Sequence, residues 1–368
     1  MSGAWPAVIL IALGLVSPLG SAGSWFDWPG NLSVGLVALA AAIWCARRPP
    51  SDVVAGLIVT AAVAIGALGS LRLVATVGAV GPRAIGLWAY LGGLAFLAWR
   101  AMALLAASRS GSPMVNRLLA LLVPLLFGVW LITVWQVLVV GLGVPPVLLP
   151  APSAIAEVMA GSLATLAADF YQTIIKSVIP GWAIGCSAGF TVAVLVDRVP
   201  FLQRGLLPLG NFVSAIPIVG IAPIMVMWFG FDWHSKAAVV VIMTVFPMLV
   251  NTIAGLAASD AMERDLMRSY AASYVQTMVR LRLPSALPFI FNALKINSTL
   301  AMIGAIVAEF FGTPIVGMGF RISTEVGRMN IDLVWGTIVV AAVTGSLFYG
   351  LLALLERAVT FWHPSYRS

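Results

Sequence analysis

The chain contains long stretches without a charged side chain, among them 118–156, 177–196, 205–231, 237–259 and 333–355. Each holds the ~20 apolar residues that cross the hydrocarbon core of a bilayer as a helix. The composition imposes the same constraint. Hydrophobic residues make up 61% of the 368 and charged residues only 9%, where a soluble domain carries roughly a quarter charged. The fold class expected is an all-α polytopic membrane protein.

Several function classes fall away. The net charge of +7 would suggest nucleic acid in a soluble protein. No basic run exceeds Arg47-Arg48, however, so the positive charge reads as loop residues that orient membrane helices, not as a nucleic-acid surface. Cys45 and Cys186 sit inside apolar segments, which supports neither a disulfide framework nor a metal knuckle. The first 26 residues carry no charged side chain, so a cleaved signal peptide with a basic n-region is not expected. There is no G-x-x-x-x-G-K-[ST] loop to cradle ATP phosphates and no H-E-x-x-H, the histidines being only His234 and His363. No catalytic residue, metal site or cofactor site is expected on this chain.

Two modules are expected. The first, 1–112, offers four hydrophobic segments near 5–22, 32–46, 53–71 and 84–107, broken by Phe26-Asp27-Trp28-Pro29-Gly30, Arg47-Arg48-Pro49-Pro50 and Gly81-Pro82-Arg83. The second, 113–368, reads as six helices near 118–142, 171–196, 206–229, 236–257, 287–311 and 332–355. With the N-terminus inside, the cytoplasmic side of this core gathers Arg109, Arg117, Arg198, Arg204, Arg264, Arg268, Arg280, Arg282, Arg357 and Arg367. The outside holds only Lys176, Lys236, Arg321 and Arg328, the bias of a chain with both termini cytoplasmic. Arg72 and Arg83 in the first module fall on the other side of that scheme. Between the first two core helices an amphipathic run to about Ala168 is expected, with Ser153 as N-cap and Glu157 in its first turn.

The most distinctive segment is a polar island running from Asp260 to Pro284, with seven charged side chains between 260 and 282. Its helical period and its length suit a docking surface for a cytoplasmic partner; a solvated amphipathic loop on the bilayer surface is the plainer alternative. In the register Asp265-Leu266-Met267, Ala271, Leu281, Leu283-Pro284, the island resembles the E-A-A-x3-G-x9-I-x-L-P loop of ABC importer permeases. Asp replaces Glu, Leu-Met replaces Ala-Ala, and Ala271 replaces the usual Gly, so a less sharp bend is expected there. The flanks Pro284-Ser285-Ala286-Leu287-Pro288, Ala308-Glu309-Phe310-Phe311-Gly312, Gly317-Met318-Gly319 and Leu149-Pro150-Ala151-Pro152 resemble the nitrate/sulfonate/taurine branch. The stretches Asp265–Tyr270 and Phe289–Ile296 look most like permeases for thiamine-pyrimidine precursors.

The resemblance covers about 113–368 and implies a type I importer permease core. It further implies a homodimer, two ABC ATPase subunits carrying the ATP and Mg, and a periplasmic substrate-binding protein. The loop at about 260–284 would seat on the ATPase through Asp265, Leu266, Met267, Arg268, Ala271, Leu281, Leu283 and Pro284. The location implied is the bacterial inner membrane.

Pathway residues are sought among polar groups in apolar spans. Lys295 and Glu309 lie fourteen residues apart, ~21 Å along a helix, and so cannot pair within it. They fall near one face with Asn292 and Thr299, a stripe that faces either a path or neighbouring helices. Asn211, Ser214 and Pro217 mark a second candidate, in a helix that Pro217 and Pro223 should kink or interrupt. Gly181, Gly185 and Gly189 read as close helix packing. The competing classes are an ion-gradient secondary transporter working through Lys295 or Glu309, and a membrane enzyme, for which no nucleophile–base pair is present.

Overall fold

The computed structural model describes residues 4–47, 53–109, 111–199, 201, 205, 216–312 and 315–362; the candidates Asn211 and Ser214 lie outside them. The chain forms two compact units, Met1–Glu157 and Val158–Ser368. Among the described residues, eight helices are long and apolar enough to cross a membrane, and there is no strand.

In the first unit, α1 (Trp5–Val16), α2 (Pro29–Arg47), α3 (Val53–Val77) and α4 (Ile85–Ala107) answer the four segments expected. α1 stops at Val16 rather than 22 because Pro18 pushes Ser17 into extended backbone, φ −86° and ψ 155°. The Ser17 N–H and Oγ both return to the Leu13 carbonyl, at 3.1 and 2.7 Å. α1 and α4 meet backbone to backbone, for a Cβ on Gly14 would lie 2.6 Å from the Tyr90 nitrogen. Trp25 closes this junction by donating from Nε1 to the Gly14 carbonyl at 2.8 Å while packing edge-on against Tyr90. α5 (Pro113–Leu142) joins the unit mainly through its C-terminal half, where Thr133, Val137, Val139 and Gly141 are buried.

The amphipathic run departs from expectation at its start. α6 (Pro152–Gly161) has Pro152 as its first residue, and Glu157 falls beyond the first turn. Ser153 is not an N-cap. The Gln136 side chain of α5 instead accepts from the Ser153 N–H at 3.0 Å and donates to its hydroxyl at 2.9 Å. A proline at the first position needs no donor partner, so the cap came from a residue 17 positions away.

In the second unit, α7 (Leu163–Phe170) runs through a π-helical segment, Tyr171–Val178, into α8 (Ile179–Arg198), making one span of 36 residues. α9 (Ile218–Phe229) begins directly after Pro217, which takes an extended ψ of 126°; Pro223 lies within the helix, and the rest of the segment expected at 206–229 lies outside the described residues. α10 (Trp233–Ala257) leads to α11 (Ala261–Ser269). α12 (Tyr274–Thr277) passes through a second π-helical turn, Met278–Arg282, into α13 (Leu283–Glu309), again one span of 36 residues. α14 (Met318–Gly327) and α15 (Ile331–Val359) follow.

The glycine face of α8 packs as expected. A Cβ on Gly181 would stand 2.7 Å from the Val240 Cβ and 2.8 Å from the Ala237 carbonyl of α10, so only glycine allows this approach. The two 36-residue spans run antiparallel and are tied along their whole length. Thr173 donates to Glu309 at 2.8 Å, Trp182 Nε1 to the Leu294 carbonyl at 3.3 Å, and Asn297 Nδ2 to Cys186 Sγ at 3.2 Å. At the far end Arg282 grips Asp197. Asn297 also donates to the Thr244 carbonyl at 2.8 Å and so joins α8, α10 and α13 at one point.

Candidate functional site

The polar island folds into a short helix held on a clamp. Asp260 caps α11 by accepting from the Met262 N–H at 3.1 Å. Glu263 in the first turn and Arg268 in the last complement the helix dipole. Asp265 and Arg268 pair at 3.2 Å with side chains 70% and 82% exposed, a geometry that contributes little stability. No residue of α11 is buried. Met262, Leu266 and Tyr270 recur every fourth residue on one face, 78%, 56% and 79% exposed.

Ala271 ends the helix, and here the expectation of a gentler bend fails. Ala271 takes φ +50°, the left-handed conformation that glycine adopts at lowest cost. The Ala271 N–H reaches the Arg268 carbonyl at 2.9 Å and the Ala272 N–H reaches Met267 at 3.0 Å, satisfying the last helical acceptors. Ser273 and Gln276 then form a capping box that starts α12.

The base of the loop is fixed by a residue that sequence reasoning missed. Arg282 forks onto Asp197, Nη1 to Oδ2 at 2.6 Å and Nη2 to Oδ1 at 2.7 Å, while its Nε donates to the Leu256 carbonyl at 3.1 Å. The Tyr274 hydroxyl donates to the same carboxylate at 3.2 Å, and the Arg198 guanidinium lies 4.4 Å from the Tyr274 ring centre. The ends of α8 and α10 thus meet at one guanidinium, and the start of α12 joins them through the Asp197 carboxylate. Of the motif residues, Asp265, Leu266, Arg268 and Ala271 are exposed, and Met267, Leu281, Leu283 and Pro284 are half-buried. The last three pack at the base rather than on the free face.

The polar stripe of α13 is divided among separate partners. Lys295 pairs with Glu356 of α15 at 2.6 Å, with the Tyr349 ring 6.0 Å away. Thr299 donates to the Lys295 carbonyl, and Asn292 reaches Asn251 at 3.4 Å. Thr299 also lines a cleft of about 630 Å³ between α13 and α15 that is otherwise apolar except for Ser346 and Tyr349. Glu309 is buried and accepts from Thr173 and, at 2.7 Å, from the Gly319 N–H. Lys295 and Glu309 are not brought together.

Glu309 belongs to a buried node at the start of α14. The Gly317 N–H donates to Asp169 Oδ1, the Met318 N–H to Thr173 and the Gly319 N–H to Glu309, so three unpaired amides of the helix start each meet a side-chain acceptor. Arg321 donates to Asp169 at 2.8 Å, and this bond pushes its guanidinium above the ordinary arginine value. Gly317 has φ +140°, and a Cβ there would stand 2.7 Å from the Glu309 carboxyl carbon. Asp197 and Glu356 are the first charges after the charge-free stretches 177–196 and 333–355. That position is the one signal by which they could have been marked.

This geometry defines a class: a polytopic helical membrane protein that presents an exposed amphipathic helix on a clamp between two spanning helices. Residues 181–361 match the family described as the binding-protein-dependent transport system inner membrane component. Among relatives, the formylaminopyrimidine transport permease protein ThiX of Halalkalibacterium halodurans is 30% identical over 243 residues, 65% of this chain and 95% of that protein. The bicarbonate transport system permease protein CmpB of Synechococcus elongatus is 30% identical over 191 residues, 51% of this chain and 68% of that protein. The taurine transport system permease protein TauC of Escherichia coli is 25% identical over 239 residues, 63% and 86% of the two chains.

The chain belongs to the family of binding-protein-dependent ABC importer permeases. It is the multi-pass inner-membrane permease subunit of such an importer, with a type I permease fold. The relatives do not favour an ion-gradient transporter.

Proposed function

We propose that the island at 260–284 is the seat of an ABC ATPase subunit. The observation that carries this reading is the Met262, Leu266 and Tyr270 face of α11, apolar and solvent-exposed on a helix with no buried residue. Such a face suits insertion into a groove on a partner, read by anchors at helical spacing. The Asp197–Arg282 clamp would carry a push on α11 into α8, α10 and α13. ATP and Mg would sit on the ATPase, and both termini of this chain with the loop on the cytoplasmic side. A substrate-binding protein would deliver solute to the opposite face. Two copies would form the path, with residues 113–368 as the permease domain and 1–112 as an added helical module.

The solute is a small polar molecule, either a pyrimidine-precursor-like heterocycle or an anion of the sulfonate or bicarbonate kind, the classes in the names of the relatives. Asn292, Lys295, Thr299 and Glu309 are the candidate path residues on α13, with Pro217 before α9.

The test replaces Leu266 by a photoreactive residue in the native membrane and identifies the adduct by mass spectrometry. An ATPase subunit crosslinked at Leu266, and lost in the charge-reversed Asp265→Lys/Arg268→Glu protein, is the expected result. Adducts to lipid alone would reduce α11 to a surface helix.

A further inference from the structure

The C-terminal half of α4 and the N-terminal half of α5 do not close on each other. Pro124 interrupts the hydrogen-bond ladder of α5 and leaves the Ala120 carbonyl without its helical donor. Between the helices lies a cleft in two parts. The mouth, about 450 Å³, is lined by Leu105, Ser108, Arg109, Asn116, Leu119 and Ala120. The trough, about 550 Å³, is walled by Trp99, Met102, Phe127 and Trp130. Ala106, Val123 and Pro124 border both parts, so the space is continuous.

The two parts differ in chemistry. Arg109 lies over the C-terminus of α4, with Nη1 3.3 Å from the Ala106 and Ser108 carbonyls. Its Nε and Nη2 have no protein partner among the described residues. The trough is apolar, and Trp99 is 60% exposed along it. Arg109 and Trp99 are ten residues apart, ~15 Å of helix, or one leaflet of a ~30 Å hydrocarbon core. An occupant must therefore offer an anion at the membrane interface and an apolar body one leaflet deep. A free phosphate would leave the trough unfilled. An apolar helix would fill the trough but leave the guanidinium without an anion.

We propose that this cleft is a binding site for one anionic glycerophospholipid, its phosphodiester on Arg109 and an acyl chain along Trp99, Phe127 and Trp130. The site lies outside residues 181–361, the part that matches the permease family. It sits where α5 would enter the permease domain, so a bound lipid would fill the gap beside that helix.

The experiment uses the full chain, purified and delipidated in mild detergent, with bound lipid counted by native mass spectrometry. Phosphatidylglycerol binds several-fold more tightly than phosphatidylcholine. Arg109→Gln, at an exposed position that leaves folding intact, weakens phosphatidylglycerol binding about five-fold, the effect of ~1 kcal/mol for one basic residue at an anionic surface. The same variant leaves phosphatidylcholine binding unchanged, and Arg109→Lys retains most of the preference. Ala106→Trp, which blocks the junction of mouth and trough, weakens both lipids. Equal binding of the two lipids by the native chain, an Arg109→Gln protein that binds like the native one, or full binding by Ala106→Trp would each overturn the site. Displacement of the lipid by excess inorganic phosphate would overturn the lipid as its occupant.

Discussion

Replacing Asp197 by alanine removes three bonds at once: both arms of the Arg282 fork at 2.6 and 2.7 Å and the Tyr274 hydroxyl at 3.2 Å. Arg282 keeps only the Leu256 carbonyl. Stranding one partner of a buried ion pair costs ~3–5 kcal/mol, whereas an exposed pair is worth ~0–1 kcal/mol. The Asp197 and Arg282 side chains are only 12% and 17% exposed, so about 3 kcal/mol, the lower end of that range, is the working value. Amides of 274–283 that open locally should then exchange with deuterium roughly 150-fold faster, at 1.36 kcal/mol per factor of ten. Asp265→Ala is the matched control. Its pair with Arg268 is exposed and three residues apart, so the same amides should change by about two-fold at most. A double-mutant cycle on Asp197 and Arg282 should recover most of the loss as coupling energy. Equal exchange in the two single variants, or unchanged protection at 274–283 in Asp197→Ala, would refute the clamp.

Other expectations follow from the same geometry. Ala271→Gly should stabilise the end of α11 by ~1 kcal/mol, because glycine holds a positive φ without the Cβ penalty; faster amide exchange at 268–272 would contradict the left-handed turn. Lys295→Met should lower thermal stability in detergent by ~3 kcal/mol by stranding Glu356, and Lys295→Met/Glu356→Leu should recover most of it. A single variant as stable as the native chain would show that the pair is not buried. Gly185→Leu should abolish monodisperse protein, since a Cβ there would lie 3.0 Å from the Val241 carbonyl, while Gly350→Leu, with nothing within 4 Å, should be tolerated; equal yields would remove the case for close α8–α10 packing.

Helices were legible because a bilayer imposes length and apolarity on each span independently, so 236–257 and 332–355 came within a few residues of the observed Trp233–Ala257 and Ile331–Val359. Local competition moved some ends. Pro18 cut α1 short, and Gln136 took the capping role expected of Ser153. The island was legible from its charge density and register. Its fastening was not, because periodicity assigns a residue to a face but does not select its partner. Asp197 meets Arg282 across 85 positions and Asp169 meets Arg321 across 152. The polar stripe of α13 shows the same limit. One helical face supplied Lys295 and Glu309, yet the first turned to α15 and the second to Thr173 and the start of α14.

The spans Leu163–Arg198 and Tyr274–Glu309 are bonded near both ends and twice between, through Thr173–Glu309, Trp182–Leu294, Cys186–Asn297 and Asp197–Arg282. Two rods ~54 Å long, cross-braced in this way, behave mechanically as one panel. They can lean together, but they cannot hinge apart without breaking charged bonds at both edges. A path between these two helices would require the Thr173–Glu309 and Asp197–Arg282 bonds to break. The α13–α15 seam borders this panel, fastened by the Lys295–Glu356 pair and opening beside it on the cleft at Thr299 and Ser346.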